Sequence, residues 1–453
     1  MTTKNSQRFI SNLRRMANLS PVLAGLSFGL LQGTMIASAQ YNQVPNKLPS
    51  SSSPAPASAS SSAPTSPTET LRAEIAKPLQ AIQALMTEKK YNEALAKVRE
   101  AELVSNKTPY EMFIIDQMRG AAAAGAGDTA LAVQSFESVL ATGRLKPEAS
   151  LPIMEAVTGT YFRSKNYPSA VIWARRFIAA GGTNAQMRLL LQQSLYLSGE
   201  YAEAAKEITA DIKATEAAGK APSEDILKLL ASCALKQKDD AEYVVALEKL
   251  VIYYPKKEYW ADYIYRVESK PAFADRLSLN VYRLKLQLDL IEEAADYMRI
   301  ALLATQAGFP IETKQVLEQG FARGVLGTGN DAAAQKKLRE SATKEVADDA
   351  KNSAKLEAEA LAAKDGTALV GVGFNYVLSG QAEARDKGIA LMEQGIKKGG
   401  LKRPEEAALR LGMAYALAGQ KQKALDTLNA VQGADGTADV AMLWRIYAGQ
   451  VKK

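Results

Sequence analysis

Residues 407–431 read AALRLGMAYALAGQKQKALDTLNAV, and this stretch decides the fold. Leu411, Gly412 and Tyr415 share one face of a helix, at spacings of one, three and four. Gly419 interrupts the pattern, and Ala424, Leu428 and Val431 resume it at i, i+4 and i+7 on a second helix. Gly412 and Ala424 are small enough for two helix backbones to approach, while Tyr415 and Leu428 fill the space beside that contact. One such hairpin cannot bury its own apolar face, so the chain must supply neighbours built the same way.

It does so repeatedly. The small residue of the second helix recurs at Ala94, Ala132, Ala170 and Ala204, in steps of 38, 38 and 34 residues. The clearest copies are KKYNEALAKVREA around Tyr91 and Ala94, KNYPSAVIWARRF around Tyr167 and Ala170, and SGEYAEAAKEITADI around Tyr201 and Ala204. GAGDTALAVQSFESV fits around Ala132, and LLASCALKQKDD continues the series with Tyr243 where alanine is expected. This pattern of a large–small pair, glycine, aromatic, alanine and a large residue resembles the tetratricopeptide repeat, whose period is about 34 residues. The resemblance implies an all-α solenoid of helix-turn-helix repeats that binds proteins rather than performing chemistry.

The rest of the chain divides around these copies. Residues 1–39 read as a secretory leader: Lys4, Arg8, Arg14 and Arg15 precede an apolar stretch from Val22 to Ile36, and Ala37-Ser38-Ala39 is a small-residue cleavage site. Gly25, Gly29, Gln32 and Gly33 break that stretch too often for a membrane-spanning helix. Residues 40–68 are Ser, Pro and Ala with little to bury, and read as a disordered linker. Residues 71–255 hold the N-terminal repeats, and 256–326 keep helical periodicity but lose the motif. Residues 327–365 open at Gly327-Thr328-Gly329-Asn330 and continue as an alanine- and charge-rich exposed helical segment, either a connector or a docking paddle. Residues 366–453 hold two further repeats and a closing tail, with Leu443, Trp444 and Ile446 placed to cap the exposed last face.

Composition removes whole classes of chemistry. The sequence has no histidine, which excludes imidazole acid–base catalysis, Ser-His-Asp and Cys-His systems and His-containing zinc sites. One cysteine, Cys233, permits no internal disulfide and no thiolate cluster, and its setting LASCAL reads as buried packing. GVLGTG at 324–329 and Gly371-Val372-Gly373 lack the lysine, the spacing and the strand that a phosphate loop needs. The acid pairs Asp239-Asp240, Glu292-Glu293 and Asp348-Asp349 are adjacent, so the members of each point to different helix faces. No catalytic, cofactor-binding or metal-binding residue is therefore expected, and a carboxylate-only glycan-acting enzyme is the weakest alternative.

The 56 Lys and Arg against 49 Asp and Glu give a charge of +7, and subtracting the four leader cations leaves 52 against 49, or +3. A near-balanced chain without a basic stripe predicts no nucleic-acid partner. The expected partner is a protein or peptide. In the family that the repeats resemble, first helices line a concave groove, and the repeat phase implies Gln83, Arg163, Gln193, Tyr196, Lys228, Ser232 and Arg410 on that side. Tyr259 and Trp260, in an aromatic cluster from Tyr253 to Tyr265, suit either a peptide surface or a junction between repeats. The carboxylate clamp of some family members is not reproduced, since Leu79, Gln83, Met118 and Ala121 stand at those positions. The sequence thus predicts an exported, periplasmic interaction scaffold, with a helper of polysaccharide export or envelope assembly as the alternative.

Overall fold

The computed structural model describes residues 70–450; the leader and the Ser/Pro/Ala linker both lie outside the described residues. Those residues form twenty α-helices, one 3₁₀ turn and no strand. None of the helices is long and apolar enough to cross a membrane. The chain divides into two compact units: residues up to Lys220 with Ser232–Asp239, and Ala221–Ala231 with Asp240 onward.

The N-terminal unit is built from α1 (Ala73–Thr87), α2 (Tyr91–Glu102), α3 (Pro109–Ala126), α4 (Thr129–Ala141), α5 (Pro147–Arg163), α6 (Tyr167–Ala179), α7 (Ala185–Leu197) and α8 (Tyr201–Ala217). They pair as four hairpins, and each second helix packs on the first helix of the next hairpin. Ala94, Ala132, Ala170 and Ala204 have no solvent exposure at all, as a residue at the closest point of a helix pair must. Each hairpin turns through one residue in the left-handed region: Lys89, Gly127, Lys165 and Gly199. Glycine takes that conformation freely, whereas lysine there costs about 1–2 kcal/mol. The turn is therefore a constant of the fold although only half of the copies announce it with glycine.

The first hairpin is tied down at its start. Thr108 caps α3, accepting from the Glu111 amide, and the Glu111 carboxylate accepts in return from the Thr108 amide at 2.8 Å. Arg72 closes on the same carboxylate through Nε and Nη2, both at 2.9 Å, and its own amide also donates to it. The Glu111 side chain is completely enclosed. The bonds from Arg72 outweigh that burial and, with the Thr108 amide, hold the carboxyl down at about 2.

The C-terminal unit takes in the first half of α9 (Glu224–Gln237), then α10 (Asp240–Tyr253), α11 (Lys257–Glu268), the 3₁₀ turn Asp275–Leu277, α12 (Ser278–Gln287), α13 (Ala294–Gln306), α14 (Pro310–Ala322), α15 (Ala332–Ala362), α16 (Thr367–Leu378), α17 (Ala382–Lys398), α18 (Pro404–Leu417), α19 (Lys421–Ala430) and α20 (Thr437–Gln450). The deciding stretch forms the hairpin α18–α19 with Gly419 at φ +72° in its turn. Leu428 fills the space above Gly412, where a Cβ would stand 2.5 Å from the leucine methyl. Backbone meets backbone in the preceding hairpin. A Cβ on Gly388 of α17 would lie 2.4 Å from the Gly373 carbonyl oxygen of α16, and one on Gly373 would lie 2.5 Å from the Gly388 oxygen. There the backbones themselves touch.

The tail does more than cap the last repeat. α20 packs on α18 and α19 as expected, but also on α10, α11 and α12, from which the bonds span 164 to 199 residues. Trp444 is fully buried and its indole N–H donates to the Asn280 carbonyl at 3.0 Å. Gln450 donates to the Val251 carbonyl at 2.6 Å, Lys270 pairs with Asp439 at 2.8 Å, and Arg276 pairs with Asp435. Because α14 touches α16, α16 touches α18 and α18 touches α20, these contacts close the unit on itself.

Two measurements probe this scaffold. Gly371 and Gly388 both lie in helices, but a Cβ on Gly371 meets nothing within 4 Å. Gly371→Ala should gain about 0.5–1 kcal/mol from helix propensity, whereas Gly388→Ala should lose about 1–3 kcal/mol by overpacking; urea denaturation reads the opposite signs. Glu111, with its carboxyl depressed, contributes stability above its ordinary value of 4.5 and loses it as pH falls toward about 2. The urea midpoint of the wild type should fall across that window, and Glu111→Gln should remove that part of the slope.

Candidate partner-binding surface

Within the N-terminal unit, α1 packs on α3 and α5 on α7, all four being first helices. No two second helices of the unit make comparable contact among the described residues. First helices of neighbouring hairpins thus come closer to one another than second helices do. Four of the sequence-expected residues lie on these helices: Gln83 on α1, Arg163 at the end of α5, and Gln193 and Tyr196 on α7.

Arg163 is exposed to solvent yet surrounded by protein, and that crowding pushes its guanidinium below the ordinary value. Among the described residues no acid pairs with it; Nη2 donates to the Thr160 hydroxyl at 3.2 Å. Gly159, one turn back, leaves the guanidinium room, since a Cβ there would stand 3.3 Å from Nη1. On α7, Gln193 Oε1 and Gln186 Nε2 are buried atoms without a hydrogen-bond partner. They stand seven residues apart, on one face and about 10 Å apart along the axis. An amide left so costs about 1–3 kcal/mol until something satisfies it. Tyr196 is 8% exposed: its ring meets Tyr201 edge-on at 5.4 Å, and its hydroxyl reaches Ser232 at 3.5 Å. It forms the floor of the surface rather than its rim. Gln83 is half-buried and makes no side-chain bond that distinguishes it.

Ser232, which meets the Tyr196 hydroxyl, also belongs to the N-terminal unit; Lys228, Tyr259, Trp260 and Arg410 lie in the C-terminal unit, where packing claims them. Lys228 is held by Glu224 at 2.7 Å. That carboxylate also takes Lys256 and the Tyr259 hydroxyl, and these bonds overcome its burial to hold it at about 2. Tyr259 and Trp260 are 3% and 1% exposed, so both are enclosed by packing and neither presents a free face to a ligand. Arg410 bonds Glu406 at 2.7 Å and stands 5.9 Å over the Phe309 ring. Burial, the chief cause, pushes its guanidinium down.

Sequence reasoning missed two features. Gln186 is the partner of Gln193, and its only signal is the seven-residue interval. The other is the core of the closed unit. Arg283 on α12 is 4% exposed and bonds both oxygens of Glu312 at 2.7 and 2.6 Å, with Asn280 Oδ1 as a further acceptor at 2.7 Å. Its guanidinium lies between Phe309 at 4.9 Å and Phe374 at 4.8 Å. An arginine within VYRLKLQL reads as a solvated residue until α14 and α16 enclose it.

With this geometry in view, the chain can be set beside known proteins. The family model described as "Tetratricopeptide repeat" matches residues 229–257 and 406–434, the second being the stretch that decides the fold. The chain is therefore an all-helical, tetratricopeptide-like repeat protein. No curated protein matches it. Among solved structures, "Structure of Naa15/Naa10 bound to HypK-THB" is 16% identical over 79% of this chain with a TM-score of 0.27, and the match spans 58% of that chain's length. "Crystal Structure of the Yeast Tom70" is 11% identical over 83% of this chain and 95% of that one, with a TM-score of 0.24. At those scores neither likeness carries an argument about this chain. The repeats define a protein-interaction scaffold as the broad class.

Removing one member of a buried ion pair leaves the other charged and uncompensated, at about 3–5 kcal/mol. Glu312→Ala should destabilise the protein by that order, and Arg283→Met with Glu312→Leu should recover most of the loss. A double-mutant cycle from chemical denaturation measures the coupling.

Proposed function

We propose that the protein is a non-catalytic scaffold of the cell envelope that holds an extended peptide segment against the first helices of its N-terminal unit. The observation that carries this reading is the pair of unsatisfied amides on one face of α7, Gln186 and Gln193, together with Arg163, without an acid partner, on the neighbouring α5. An extended chain rises about 3.3 Å per residue, so amides about 10 Å apart along the axis match backbone groups three residues apart. Each amide both donates and accepts, which suits a peptide backbone whatever its side chains. Arg163 adds a preference for a carboxylate on the bound segment, because a guanidinium forks onto two oxygens.

Placement in the envelope rests on the leader-like residues 1–39, with their basic start, apolar stretch and Ala37-Ser38-Ala39. Export to the periplasm is part of the same proposal, and the Ser/Pro/Ala segment after the leader acts as its tether.

Affinity capture from envelope extract, followed by display of the captured protein as overlapping peptides, tests both parts. An acidic peptide should bind, and Arg163→Glu or the pair Gln186→Ala, Gln193→Ala should weaken it at least tenfold while the helical circular dichroism is kept. Unchanged affinity in both variants would remove the groove. Fractionation that leaves the protein in the cytoplasm at full length would remove the envelope assignment.

A further inference from the structure

The long helix α15 is 31 residues, yet only Gln335, Ala342 and Ala360 are buried along it. It is held near its two ends. Gln335 accepts from the Gly327 amide at 2.7 Å, Ala360 belongs to a small apolar cluster with Leu369 and Leu391, and Glu357 takes Lys387 and the Tyr376 hydroxyl. Between these anchors, Val346, Asp349, Ser353 and Leu356 recur at steps of three, four and three, forming one stripe along the helix. None of the four is fully buried. The stripe faces a cavity of about 350 Å³ whose other walls come from the start of α14, from α16 and from the start of α17.

The lining is of two kinds. Ile311, Val346, Leu356 and Val372 give it an apolar body. Asp349 and Asn375 give it acceptors that are not matched inside the protein. Among the described residues Asp349 has no ion-pair or hydrogen-bond partner: its neighbours are Glu345 and Asp348, and Asp348 is engaged with Lys351 at 3.2 Å. Asn375 Oδ1 is a buried atom without a donor. No lysine or arginine lines the cavity. A half-buried carboxylate beside two further acids, facing an apolar space, calls for a cation that brings an apolar surface with it. The volume is that of a small-molecule site.

We propose that the cavity under α15 binds a small amphiphilic amine, its ammonium paired with Asp349 and donating to Asn375 Oδ1, its apolar body against Ile311, Val346, Leu356 and Val372. This site lies wholly within the C-terminal unit and is independent of the peptide surface on α5 and α7.

Calorimetric titration of the whole protein with phenethylamine, 2-phenylethanol and phenylacetate separates charge from shape. Phenethylamine should bind at least tenfold more tightly than the neutral alcohol, and phenylacetate should not bind. Asp349→Asn, which removes a charge from an acidic neighbourhood and should fold, is expected to abolish the preference for the amine. Ala350→Trp, placed on an exposed residue at the cavity wall, should block all three probes. Equal binding of amine and alcohol, absence of amine binding, or a preference that survives Asp349→Asn would each overturn the proposal; unchanged helical circular dichroism shows that either variant still folds.

Discussion

A helix hairpin can cover only one side of itself, and the structure is a set of answers to that constraint. Inside each run of repeats the answer is the next hairpin, which is why Ala94, Ala132, Ala170 and Ala204 are wholly enclosed. At the start of the run, Arg72 reaches across to the enclosed carboxylate of Glu111, so an ion pair and a capping box do the work of a preceding repeat. In the C-terminal unit the answer differs: α20 returns to α10, α11 and α12, and the run has no free last face.

Closure has a consequence for where a partner can bind. First helices that curl until they meet one another surround a core instead of an open trough, and Arg283, Glu312, Phe309 and Phe374 occupy that core. Arg410 has the right phase for a groove, yet Phe309 and Glu406 hold it. In the N-terminal unit, by contrast, buried amide atoms of Gln186 and Gln193 have no hydrogen-bond partner and no acid pairs with Arg163 among the described residues.

The hairpins were legible in the sequence because their information is local. A small residue, an aromatic three before it and a turn before that lie within about 40 residues, so Ala170 and Tyr167 predict each other. The helical character of 332–362 is written in the same local way, its alanine and charge content being a property of the segment itself, whereas that content leaves open whether one long helix or two form there. Closure was not. The Trp444 bond to Asn280 joins residues 164 positions apart, and neither neighbourhood carries a pattern that names the other. For the surface, phase puts Arg163 and Gln193 on first helices, where they lie, but a local pattern does not say that Tyr259 and Trp260 are enclosed.

The fading of the motif between 256 and 326 follows from the same geometry. A repeat signature encodes contacts with the hairpin before and the hairpin after, and it persists where those are the only neighbours. Tyr243 sits where the other copies have alanine, and its hydroxyl is accepted by buried Asp262 at 2.6 Å while Arg266 lies over its ring at 4.7 Å. A large polar residue at that point requires the next helix to supply a carboxylate, so α11 departs from the pattern in turn. α12 must satisfy α13 on one side and α20 on another, with Arg283 turned to α14 and the Asn280 carbonyl taken by Trp444. Helices that answer to distant neighbours as well as adjacent ones cannot keep a sequence written for adjacent ones alone, and the loss of the motif there marks where the unit closes.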